Sequence, residues 1–76
     1  MPPHQVRVIE ELWQLRDRLE NLNTFINGNG VIFASLEEGE KMLLRLQATH
    51  MADYADVLES RIAAFSLSTV SAGIKQ

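Results

Sequence analysis

The stretch NGNGVIFAS, Asn27 through Ser35, joins two long runs of helical period, and its reading decides the fold. Asn27, Gly28, Asn29 and Gly30 suit a phosphate-cradling loop, a β-hairpin turn or the end of a helix. An Asn-Gly hairpin turn needs alternating strands on both sides, and none flank it. A phosphate loop needs a strand before it and a GK[ST]-type helix start after it, which are also missing. A helix C-terminus fits, with Gly28 or Gly30 as the left-handed cap residue. Val31, Ile32 and Phe33 are then expected to fold back and seal that end of the molecule.

Upstream, Val8, Leu12, Leu15, Leu19, Leu22 and Ile26 follow a 4-3-4-3-4 spacing, that of a coiled-coil seam. Pro2 and Pro3 suit the first helical positions, where a missing N–H costs little. The expected helix covers 3–27 and is about 35 Å long. Downstream, Leu44, Ala48, Met51, Ala55, Leu58, Ile62 and Phe65 alternate by 4 and 3 again. Ser35 with Glu38 reads as a capping box, which starts the second helix at Ser35 and gives it the span 35–65. Glu37 and Lys41 form a favourable i,i+4 pair, and Gly39 is a weak point of about 1 kcal/mol relative to alanine. The remainder, 66–76, is rich in small and hydroxyl residues without helical period. It reads as a tail whose candidate anchors are Leu67, Val70 and Ile74.

The fold expected is therefore all-α: an antiparallel, coiled-coil-like hairpin over 1–65, with its turn at 28–34. Seventy-six residues bury only a thin core. The chain has no cysteine, so neither a disulfide nor a thiolate metal site supports it. Association is the remaining support. A second stripe on helix 1, Val6, Ile9 and Trp13, flanks the seam and is the expected oligomer interface. Leu43, Leu46 and Val57 flank the seam of helix 2. Wide apolar faces on a two-helix unit predict a symmetric oligomeric bundle with a dimer as building block. The plainer alternative is that Trp13 covers the hairpin's own edge.

A formal net charge of −3 counts against a nucleic-acid polymer as partner, because duplex binding relies on many Lys/Arg–phosphate contacts. A small anion held by a few arginines stays open. No apolar run approaches the roughly 20 residues of a membrane span, and MPPHQVRVIEE lacks the apolar stretch of a signal peptide. A soluble protein of the cytoplasm is expected.

Gln47, Tyr54 and Arg61 stand seven residues apart and form a row along one edge of helix 2. A glutamine, an aromatic ring and a guanidinium in line can hydrogen-bond a base edge, stack on it and neutralise a phosphate. In the plainer reading Tyr54 caps the core and Arg61 snorkels. Arg7, with Glu10 and His4, lies at the free end of helix 1, near Arg61 in an antiparallel hairpin, so the two arginines can converge on one anion. The alternative is a surface ion-pair cluster worth under about 1 kcal/mol per pair. Lys41 and Arg45 make a smaller basic patch near the turn, or a solvated face. His50 and Asp53 have metal-ligand spacing but no third ligand, so no metal is expected. Ser60 and the tail serines have no histidine partner; no catalytic residue and no cofactor are assigned.

Taken together, the motifs resemble those of a group of small proteins encoded by tailed phages and prophages. The shared run is an R-V-x-x-E start, here Arg7-Val8-Ile9-Glu10-Glu11, a leucine-rich helix ending in Phe25-Ile26, and Phe33-Ala34-Ser35-Leu36 at the turn. It continues as Gln47, Met51, Tyr54, Leu58, Arg61 and Ile62. This group is similar to the hairpin domain of the anti-CBASS and anti-Thoeris sponge proteins. The resemblance implies a symmetric oligomer, commonly a hexamer, that sequesters cyclic di- or trinucleotide immune messengers at subunit interfaces without cleaving them. Arg7, Gln47, Tyr54 and Arg61 match the run and are the ligand-binding residues it implies. Lys41 and Arg45 are secondary candidates from the residue reading alone. The rival expectation is a structural or adaptor protein that binds another protein through the Val6–Ile9–Trp13 face.

Overall fold

A computed structural model describes the chain at residues 2–28 and 30–74, and its side chains as far as Phe65. Three helices follow one another: α1 (Pro3–Asn27), α2 (Val31–Ser35) and α3 (Glu38–Ile74). Among the described residues there is no strand. The molecule is a rod of 61 × 17 × 16 Å in which α1 packs along α3.

The two seams meet as the spacing requires. Val8, Leu12 and Leu15 of α1 are buried against Ala55 and Leu58 of α3, with Met51, Ile62 and Phe65 packed around them. Leu58 is the centre, with 0% of its surface exposed. The pairing is antiparallel. His4, near the start of α1, sets its ring edge-on to Phe65, with centroids 6.4 Å apart. At the other end of the rod, Phe25 meets Phe33 edge-on at 5.5 Å.

The joining stretch differs from the expectation in four respects. First, Gly28 and Gly30 are not left-handed: both are extended, at φ −72° and −73°. The Gly28 N–H bonds to the Thr24 carbonyl at 2.8 Å, so the last turn is completed by an ordinary helical bond. The chain then leaves by extension at ψ. What favours glycine at Gly28 is close approach, since a Cβ there would stand 2.7 Å from the Thr24 carbonyl oxygen. Nothing lies within 4 Å of the corresponding point at Gly30. Gly28→Ala is therefore expected to cost about 1 to 2 kcal/mol. Gly30→Ala, at a φ that alanine adopts freely, should stabilise by about 0.5 kcal/mol through the unfolded chain. Paired thermal melts check this contrast.

Second, Ser35 ends a short helix and does not open the long one. Its hydroxyl donates to the Ile32 carbonyl at 2.7 Å, and the residue stands three positions before Glu38, too far back to be the N-cap of α3. The long helix starts at Glu38, with the Lys41 N–H on the Glu37 carbonyl at 3.0 Å, and Glu38 and Glu40 bring negative charge to its positive end. Third, Lys41 pairs with Glu38 at 3.3 Å and not with Glu37. Fourth, Phe33 alone seals the turn. It is buried, whereas Val31 is 83% exposed and Ile32 is also exposed.

At its other end α3 does not stop at 65 but continues through Ile74. Between Phe65 and Gly73 there is no proline or glycine to interrupt it, and once nucleated a helix extends with one hydrogen bond gained per residue fixed. The anchoring expected of Leu67, Val70 and Ile74 concerns side chains outside the described residues.

Candidate functional site

The hairpin has two flanks, one on each side of the α1–α3 seam. On the first, Tyr54 of α3 reaches across to α1 and its phenol O–H donates to the Glu11 carboxylate. Arg7 stands one turn before Glu11 on α1, and Arg61 stands two turns beyond Tyr54 on α3. The antiparallel pairing thus carries both arginines to this flank at the open end. Arg61 is close enough for its charge to act on the phenol. Neither arginine forms an ion pair among the described residues.

The Tyr54 phenol is held above its ordinary range near 10. The main cause is its hydrogen bond to Glu11; desolvation and the negative charge of Glu11 act in the same direction, and Arg61 opposes them. Tyr54 therefore remains a protonated donor throughout the neutral range. The residue is 42% exposed.

Beside the Tyr54 ring runs an open groove of about 490 Å³, lined by Leu43, Leu46, Gln47, His50, Met51 and Tyr54. Its surface is mainly apolar, with the Gln47 amide and the His50 imidazole as the polar groups besides the phenol. The amide makes only a weak contact, Nε2 to the Met51 sulfur at 3.9 Å. His50 and Asp53 gain no third ligand: no group of three or more metal-type side chains occurs among the described residues.

Lys41 and Arg45 lie elsewhere. Both stack their charges over the Phe33 ring, at 5.8 and 5.5 Å from its centroid, at the closed end of the hairpin. Lys41 and Arg61 are twenty residues apart on one helix, about 30 Å. Gln47, Tyr54 and Arg61 are therefore spread over about 21 Å of one edge of α3, Arg7 stands one turn before Glu11 at the open end, and Lys41 and Arg45 lie at the closed end.

The second flank carries Val6, Ile9 and Trp13, with Trp13 68% exposed. An Arg16–Glu59 ion pair bridges the helices there, between half-exposed side chains. It was not foreseen from the sequence, because nothing in the spacing of Arg16 and Glu59 fixes their register. Glu11, the acceptor of the Tyr54 hydroxyl, was not singled out from the sequence either, although the R-V-x-x-E start ends on it.

The family profile described as Sequestin matches residues 2–64. The chain belongs to the Sequestin family. The matched part of this Sequestin chain takes in α1, α2 and α3 up to the end of the hairpin core, and so contains Arg7, Glu11, Gln47, Tyr54 and Arg61. The family name describes a sequestering protein, hence a binding role in preference to catalysis. No curated protein and no solved structure matches the chain. Among the described residues, no helix of this Sequestin is long and apolar enough to cross a membrane.

Proposed function

We propose that this chain is a non-enzymatic, phage-encoded sponge that sequesters cyclic di- or trinucleotide immune messengers in the host cytoplasm, at sites between subunits. What supports the reading is a Sequestin hairpin with an apolar groove lined by Gln47 and Tyr54, and an Arg61 close enough to act on the Tyr54 phenol. A base stacks on the Tyr54 ring with its edge within reach of the Gln47 amide, and the phosphates face Arg61 and Arg7. One hairpin has only Arg7 and Arg61 near the open end of this flank, and neither lines the groove, too little to enclose a doubly or triply charged ligand. A second copy across a two-fold axis doubles each of them. Lys41 and Arg45 reach such a site only from a neighbouring copy whose closed end lies against this open end.

The exposed Trp13 and Val6 on the other flank favour a second reading, an adaptor that binds a protein through Val6, Ile9 and Trp13. A thermal-melt panel of cyclic di- and trinucleotides and cyclic ADP-ribose isomers separates the two. A ligand at about 100 times its dissociation constant adds roughly 2.7 kcal/mol, a rise of several degrees for a chain of this size. The rise is expected to vanish in Arg61→Ala and to shrink in Tyr54→Phe. A flat panel at high ligand concentration overturns the sponge and leaves the adaptor.

A further inference from the structure

We infer that Glu11, held beside the groove by Tyr54, makes the site prefer guanine to adenine bases. This rests on the sponge reading and gives it a ligand class. A carboxylate is an odd neighbour for a phosphate site, because it repels the anion that Arg7 and Arg61 attract. Its use in such a site is accordingly to bind the base. Glu11 accepts the Tyr54 hydroxyl through Oε2, while Oε1 accepts no hydrogen bond among the described residues. An ionised carboxylate offers about four acceptor positions and no donor, so most of its capacity is not taken up among the described residues.

A guanine stacked on the Tyr54 ring presents N1–H and its exocyclic amine side by side, two donors for two carboxylate oxygens. Adenine presents one amine donor, and its N1 lone pair then points at the second oxygen. The pairing is attractive in the first case and partly repulsive in the second. The tyrosine hydroxyl has a positioning role: it fixes the carboxylate at the edge of its own ring, where the edge of a stacked base falls. A bidentate base contact discriminates by roughly ten- to a hundredfold.

The test is calorimetric titration of the full chain with cyclic diguanylate and with cyclic diadenylate, for the parent, Glu11→Gln and Tyr54→Phe. Glu11 is an exposed surface residue, so its substitution should leave the fold intact. The parent is expected to bind the guanine ligand at least about tenfold more tightly. Glu11→Gln, which offers one acceptor and one donor, should erase or reverse that preference, since an amide matches the adenine edge. Tyr54→Phe keeps the stacking ring and releases the carboxylate, so its preference should narrow while binding of the adenine ligand persists. Equal binding by the parent, or a preference unchanged in Glu11→Gln, overturns the inference and leaves the sponge standing. Binding of neither ligand, nor of any other cyclic nucleotide in the melt panel, overturns both.

Discussion

Leu58→Ala is expected to lose about 2 to 5 kcal/mol of stability, the range for truncating a buried leucine. The loss should sit at the upper end of what this chain tolerates. Leu58 has 0% exposure and its neighbours Val8, Leu12, Leu15 and Ala55 make up nearly all of the buried core. Ala55 beside it is already small, so the void falls to Leu12, Leu15 and Met51 to fill, and they can do so only by leaving their own contacts in the seam. A single-core domain of this size has only a few kcal/mol in total. The melting temperature should therefore fall by at least roughly 10 °C, and part of the population should be unfolded at room temperature. Met42→Ala is the matched control. Met42 lies on the solvent side of the same helix, and its truncation should stay within about 0.5 kcal/mol. Circular dichroism melts at one fixed protein concentration make the comparison. Equal melts for the two variants would mean that the seam is not the core.

The same residues explain what could be read from the sequence. Val8, Leu12, Leu15, Ala55 and Leu58 were all legible as seam positions, because the 3.5-residue period of each helix specifies a buried stripe without reference to anything else. What two separate periods do not contain is the register between them. Tyr54 and Glu11 are 43 residues apart, as are Arg16 and Glu59, and each pairing exists only once the helices are aligned. The row of Gln47, Tyr54 and Arg61 was visible as a row, but its acidic partner was not. At the turn the difficulty was competition. The Ser35 hydroxyl suits a cap for the following helix and equally a bond to the carbonyl three residues back. The short helix prevails where Phe33 finds Phe25, a tertiary contact that local spacing cannot weigh. Lys41 and Arg45 looked like a free basic patch for the same reason, since the ring beneath them comes from the turn. The end of α3 was missed because period marks burial, and a helix can run on past the part that is buried.

The purified chain is expected to sediment as an assembly, a whole multiple of its 8.6 kDa mass, and Trp13→Glu is expected to break it into smaller species. The argument is one of unmatched surface. Trp13, Val6, Leu43, Leu46 and Val57 are exposed, which is a large apolar area for a rod with six buried side chains among the described residues. They fall on both flanks: Val6, Ile9 and Trp13 beside α1 on one, and Leu43, Leu46 and Val57 beside α3 on the other. A unit with two different apolar flanks can join head to tail, and such contacts give a ring where the rotation closes. A glutamate at position 13 would bury an unpaired charge in every such contact, at a cost of several kcal/mol each. Leu46→Glu tests the opposite flank. Dissociation by both variants indicates a ring built from two surfaces. Dissociation by Leu46→Glu alone indicates a two-fold dimer through α3, and then Val6, Ile9 and Trp13 lose their place as the interface. A parent that stays monomeric at tens of micromolar refutes the assembly altogether. The nucleotide site between subunits falls with it, since two arginines on an open flank would be all the charge a single chain could offer.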